Sequence, residues 1–191
     1  MVFDGMILSL IVGFFRKGNL KGLSSLNLKA GWIFPLLLGI EILMFLFQNR
    51  FSFLGRASGF IYMLVYIAGL LFLFMNRKQT GFMWILIGVF LNFFVMVLNG
   101  GRMPVSEHAA SILDPSYFEA LKGSLYAKHQ ALTESTKLGF LGDIIPLTKP
   151  YPRTQVISIG DIIMNIGIFL FIQHLMVPMQ RDKKVKISKS I

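Results

Sequence analysis

The sequence predicts an all-α membrane protein of five transmembrane helices, the first one short, with an extracytoplasmic cap between helices 4 and 5. Three observations carry this reading. Hydrophobic residues make up 54% of the 191-residue chain, which includes 19 Phe and has a mean hydropathy of +0.66. An ordinary soluble domain stays near 45–50% apolar even when Gly is counted. The apolar residues also fall in blocks instead of alternating with polar ones, and the cations are unevenly shared among the segments between blocks.

The blocks are residues 2–15, 30–48, 57–75, 81–98 and 156–178. Four have 18 to 23 residues, close to the roughly 20 that cross a bilayer as a helix. The first has 14, so it is the short one. It lacks the order of a signal peptide, because Asp4 precedes its apolar run and Arg16, Lys17 and Lys21 follow it. That order favours a retained helix with its N-terminus outside.

With that orientation, segments 16–29, 76–80 and the basic tail 179–191 lie in the cytoplasm and carry 11 Lys and Arg. The outer segments carry 8, and five acids nearly balance the six of them that lie in the cap, residues 99–155. The distribution follows the positive-inside rule and places the chain in a bacterial plasma membrane with a cytoplasmic C-terminus. The formal net charge of +10 therefore points to anionic lipid. No nucleic-acid partner is expected, since no basic surface is interleaved with stacking aromatics.

Between the first two blocks, leucines recur among polar residues from Asn19 to Leu28, as in a segment lying along the inner leaflet. The links at 49–56 and 76–80 are short enough to force antiparallel neighbours. Block four ends at Asn99-Gly100-Gly101-Arg102-Met103-Pro104, where the glycines permit a sharp turn and the proline bars helix continuation. Within the cap, Asp114-Pro115 marks a helix start and Lys122-Gly123 its end, with Tyr117, Phe118 and Leu121 on one face. Pro146, Pro150 and Pro152 then give an extended, stiff connection to the fifth block. The whole chain forms one membrane domain.

Two acids bracket that connection. Asp143 follows Gly142 in Phe140-Leu141-Gly142-Asp143-Ile144-Ile145-Pro146 and reads first as a turn residue. Asp161 ends Ser158-Ile159-Gly160-Asp161, the spacing of a capping box at the mouth of the last helix. Brought together, they would share a proton, one acting as general base on water and the other protonating a carbonyl. Glu41 sits near the middle of the second block, where an acid costs about 2.5–3.5 kcal/mol on insertion scales and should find a partner. Asn92, Asn165 and Gln173 are the candidates. Asp4, near the outer surface, reads as a solvated end residue.

His108, His129 and His174 lack metal-ligand spacing, so no metal is expected, and His129 in the cap is the best placed of the three for a functional role. No P-loop, nucleophile elbow or dinucleotide fingerprint is present, and no cofactor is expected. The absence of Cys excludes disulfides and thiolate chemistry.

Asn99–Ser106, Lys128-His129, Phe140–Pro146 and Ile157–Asp161 together resemble a family of small multi-pass bacterial membrane proteins known only as a domain of unknown function. Over about 81–175, the order of a span with an Asn/Arg end, a loop Asp and an Asp opening the last span is also similar to lipoprotein signal peptidase. That resemblance implies a catalytic pair at Asp143 and Asp161, with Asn99, Arg102, His129 and Ser158 as supporting polar residues. Ser158 stands where that family has Asn, and its Asn-x-Gly-Ala-Ala-Phe segment has no counterpart here. The expected function is a membrane-interface aspartyl hydrolase or peptidase acting on a lipid-linked or membrane peptide substrate. The alternative is a small transporter or accessory subunit built around Glu41.

Overall fold

The computed structural model describes residues 2–24, 26–47, 50–113, 121 and 128–177. Each of the five apolar blocks contains a helix, as an uninterrupted apolar run satisfies its backbone polar groups within itself. The fifth starts later than its apolar run, because Val156 and Ile157 lie in a strand and the Ser158 cap opens the helix at Ile159. They form α1 (Val2–Phe15), α3 (Ile33–Phe47), α4 (Ser52–Met75), α5 (Phe82–Leu98) and α7 (Ile159–Met176), with a short α2 (Lys21–Ser24) before α3. Among the described residues, two segments are long and apolar enough to cross a membrane: Phe53–Met75 in α4, with 23 residues, and Ile159–Met176, with 18. Helix α4 begins five residues before the apolar block does. The hydropathy pattern stops at Arg56, but arginine is a good helix former and the helix runs through it.

The helices pack side by side in the order α3, α4, α5, α7, α1. Contacts of Gly69 with Leu37, and the shared packing of Met44 with Tyr62, make α3 and α4 antiparallel. On α1, Gly5 meets Asn165 and Gly13 meets Met176, so α1 and α7 run parallel. Direction therefore alternates through the five long helices in chain order. A helix with at most two main neighbours leaves much of its circumference uncovered, and large apolar side chains are accordingly exposed: Phe45, Phe53 and Phe60 are each 70% exposed and Trp32 67%.

The tightest contact is α5 against α7. Gly81 lies against Gly167, and Gly88 against Gly160, each pair one heptad from the next on antiparallel helices. A Cβ on Gly167 would come within 2.6 Å of the Ile85 amide nitrogen, and one on Gly160 within 2.7 Å of the Gly88 carbonyl oxygen. Only glycine lets the backbones meet this closely, as small residues do in membrane helix pairs.

The cap departs from an all-α design. Strand β1 (Met103–Val105) pairs in parallel with β2 (His129–Ala131), and β3 (Ile145–Leu147) pairs antiparallel with β4 (Gln155–Ile157). The proline-rich connection is thus a β-hairpin. Prolines and β-branched residues keep these segments out of helix, and a two-stranded ribbon consists only of edges, where Pro146 removes no interior hydrogen bond. A one-turn α6 (Glu107–Ala110) follows β1. The expected helix over 114–122 lies outside the described residues except for Leu121, which is helical and buried against Val105 and Ala110. The basic tail 179–191 also lies outside them. Asp4 is not simply solvated, because its Oδ2 accepts from Gln155 Nε2 at 3.2 Å and ties α1 to β4.

Gly88→Leu or Gly160→Leu should lower stability by about 3 kcal/mol or more, since the intruding side chain meets backbone. Gly39→Ala, with nothing within 4 Å of its Cβ position, should change it by less than about 1 kcal/mol. Thermal unfolding of the detergent-solubilised chain checks both.

Candidate functional site

Strand β1 organises the site. All three of its residues are buried, and it is held along two sides. On one side Met103 pairs with His129, and the Met103 amide donates to the Lys128 carbonyl at 2.9 Å. On the other, the Asp143 amide donates to the Pro104 carbonyl at 2.9 Å, while the Ser106 amide donates to the Asp143 carbonyl at 3.0 Å. Gly142 allows this approach, because a Cβ there would run into the Pro104 carbonyl. Two distant segments thereby deliver His129 and Asp143 to one place, with His129 Nε2 3.5 Å from Asp143 Oδ2.

Asp143 is 7% exposed, and its Oδ1 has no hydrogen-bond partner among the described residues. Burial pushes its carboxyl well above the usual range, and the charge of Asp161 pushes it further, against a smaller opposing pull from Lys128. For His129, burial and then the Lys128 charge lower the imidazole to about 3. A carboxyl of raised proton affinity thus faces an imidazole that is neutral near pH 7.

Asp161 is held differently. Its Oδ2 accepts from the Ser158 amide at 3.0 Å, the Ser158 hydroxyl accepts from the Asp161 amide at 3.0 Å, and the capping box is complete. Its Oδ1 accepts from Asn92 Nδ2 at 2.9 Å. Ser158 is fully buried and donates its hydroxyl to Asn92 Oδ1 at 2.8 Å. Asn92 therefore clamps both members of the box from α5. The two acids do not hydrogen-bond to each other, and they influence each other through space.

Glu41 is not matched by Asn92, Asn165 or Gln173. Asn92 is committed to the capping box, Asn165 Nδ2 donates to the Asp161 carbonyl at 2.8 Å, and Gln173 binds Ser9 and Arg16. The partner of Glu41 comes from the cap: Lys128 Nζ lies 3.5 Å from Glu41 Oε1. The same ammonium sits 5.5 Å and 5.8 Å from the ring centres of Tyr62 and Tyr66, within cation–π range. Burial works against the Lys128 charge, but Tyr66, Glu41 and Tyr62 outweigh it and hold its pKa above the ordinary lysine value.

Asn99 is a tether, because its side chain exchanges two hydrogen bonds with the Lys137 backbone, at 2.9 and 3.0 Å. Arg102 is half-buried and forms no hydrogen bond or ion pair among the described residues. His108 and His174 are exposed. Among the described residues, no group of three His, Asp or Glu side chains could hold a metal.

Residues 25–173 match a family described as "Family of unknown function (DUF5317)". An uncharacterized protein of Thermotoga maritima is 31% identical over 171 residues, covering 90% of this chain and 89% of that protein. No solved structure matches.

The two buried groups give opposite pH dependences. Between pH 6.5 and about 3 the unfolded chain protonates His129 and the folded chain does not, so stability falls as pH drops through that window. For Asp143, the folded chain keeps a proton that the unfolded chain releases above 3.8, so stability falls as pH rises from there until the buried carboxyl itself ionises. In unfolding midpoints measured across pH 3 to 8, His129→Gln should flatten the acid limb and Asp143→Asn the rise-side loss. A double-mutant cycle on Glu41→Gln and Lys128→Met should give a coupling of about 0.5–1 kcal/mol, modest because both groups are partly exposed.

Proposed function

This chain belongs to the DUF5317 family, and within it we propose an integral membrane protein acting as an interfacial aspartyl hydrolase or peptidase. The observation that carries this reading is the contrast between its two acids. Asp143 is buried, raised in proton affinity and open at one oxygen, while Asp161 accepts a hydrogen bond on each oxygen. Burial that raises the proton affinity of one carboxyl suits it to the acid role, and the hydrogen-bonded, oriented carboxylate suits the base role.

In this mechanism Asp143 donates its proton to the carbonyl oxygen of a scissile amide. Asp161 takes a proton from the attacking water through a lone pair its two hydrogen bonds leave open. The tetrahedral intermediate then collapses as the proton on Asp161 passes to the leaving amine and a hydroxyl proton of the intermediate returns to Asp143, which restores both acids. The neutral His129 beside Asp143 keeps cationic charge off the proton donor. Glu41, paired with Lys128, fastens the cap to α3 and α4 and lacks the free carboxyl that proton-coupled transport requires.

The membrane setting rests on the exposed apolar side chains along the helices and on charge polarity. Six cations (Arg16, Lys17, Lys21, Lys29, Arg77 and Lys78) cluster with no acid in the segments that join the helices at the end away from the cap. That polarity supports five spans in a bacterial plasma membrane, with the N-terminus and cap outside and the C-terminus cytoplasmic. The substrate class is a membrane peptide or lipid-linked peptide.

Proteoliposomes presented with a quenched-fluorescent library of membrane peptides should show turnover. Asp143→Asn and Asp161→Asn should each reduce it by about 10²–10⁴-fold while the helix content is retained. Full turnover in either variant would remove the catalytic pair. The absence of native Cys permits a topology test. Glu134→Cys should react with an impermeant maleimide in intact cells, and Thr80→Cys should react only after permeabilisation.

A further inference from the structure

The end of the helix row away from the cap contains a second arrangement of side chains. Where α4 turns into α5, a cleft of about 280 Å³ is lined by Asn27, Lys29, Met75, Arg77, Lys78 and Gln79. Lys29, Arg77 and Lys78 are exposed, and none has a carboxylate partner among the described residues. No Asp or Glu occurs between residues 5 and 40 or between 42 and 106. The cleft wall is fixed: Asn76 is buried, its Oδ1 accepts from the Lys29 amide at 2.8 Å, and its Nδ2 donates to the Lys29 and Phe72 carbonyls at 3.0 and 2.9 Å.

Beside this cleft begins an apolar groove of about 530 Å³ between α4 and α5, with Ile67, Leu71, Phe74, Leu86, Ile87 and Phe90 among its walls. Phe74 closes its basic end, and the Arg77 guanidinium lies 4.1 Å over that ring. From Ile67 to Phe74 the groove runs about 10 Å along α4. An open apolar groove ending at three cations without carboxylate partners among the described residues matches one kind of molecule. We propose that groove and cleft together bind one anionic phospholipid of the cytoplasmic leaflet. An acyl chain lies along α4 and α5, and the phosphate lies among Lys29, Arg77 and Lys78. Arg77 Nη1 donates to the Phe74 carbonyl at 2.9 Å, which fixes the guanidinium at the end of the groove, and its remaining N–H donors suit a phosphate oxygen. A partner helix would fill the groove but leave these cations unmatched.

The site rests on the membrane placement given above, and the experiment separates the two. The full chain is reconstituted into lipid discs of equal phosphatidylglycerol and phosphatidylcholine, and lipids retained on release are counted by native mass spectrometry. The expected result is one retained phosphatidylglycerol per chain, enriched roughly tenfold or more over phosphatidylcholine. The enrichment should disappear in Arg77→Gln/Lys78→Gln, and retention itself should fall in Leu71→Trp, which fills the groove. Equal retention of the two lipids overturns the site, as does full displacement by glycerol 3-phosphate. Disulfide cross-linking of two Ile87→Cys chains would make the groove a self-interface instead. Failure of the chain to enter discs at all would overturn the membrane placement and this site with it.

Discussion

The close approach of α5 and α7 is the constraint on which the rest of the molecule depends. Two glycine pairs, Gly81–Gly167 and Gly88–Gly160, bring the backbones together where no side chain could be admitted. In lipid, helix association has little hydrophobic driving force, so such packing and the polar contacts it brings into reach must hold the pair. The polar contact here is Asn92. It lies one turn beyond Gly88, and its Oδ1 occupies the space that a Cβ on Gly160 would need. From there it reaches both Ser158 and Asp161. The same glycines that join the helices therefore fix the orientation of the acid at the mouth of α7. Helix α1 joins the other side of α7 in similar fashion, through Gly5, Gly13 and the Ser9 hydroxyl bond to the Phe169 carbonyl.

The second acid depends on a different device. Asp143 is carried by a loop, and a loop side chain is seldom buried unless its backbone is satisfied. Strand β1 supplies that satisfaction, taking the Asp143 amide and carbonyl on one edge and the β2 strand on the other. Lys128 and His129 follow from the same pairing, one descending to Glu41, Tyr62 and Tyr66 and the other lying beside Asp143. The cap is thus keyed into the helix row by the Lys128 ion pair, by the Asn99 tether to Lys137 and by the Gln155 bond to Asp4. Its electrostatics arise from that keying. Burial disfavours the charged form of both His129 and Asp143; the Lys128 ammonium adds to it at His129, and the charge of Asp161 at Asp143.

Much of the helical framework was legible in the sequence, because an apolar block 14 or more residues long has few alternatives to a helix. The capping box at Ser158 and Asp161 was legible for the same kind of reason, since both its partners lie within one turn. What could not be read depended on contacts between distant segments. The strands of the cap are three residues long and pair across intervals the chain pattern does not encode, so the proline-rich connection read as an extended spacer when it is a hairpin. The partner of Glu41 was sought among polar residues inside other apolar blocks, yet it came from the cap. A signal was present there: Tyr62 and Tyr66 repeat one turn apart on an otherwise apolar helix, as a polar lining would. Lys128, next to His129, was passed over because surface cations are common.

The central claim is that burial raises the proton affinity of Asp143, the carboxyl that β1 holds beside His129. Infrared spectroscopy of the reconstituted protein tests this directly, since a protonated carboxyl has its own carbonyl stretch, separate from those of carboxylates and amides. The account predicts a protonated-carboxyl band that persists to higher pH than an ordinary aspartate's, lost in Asp143→Asn and kept in Asp161→Asn. A spectrum without such a band, or a band that disappears with Asp161 and persists without Asp143, would contradict it.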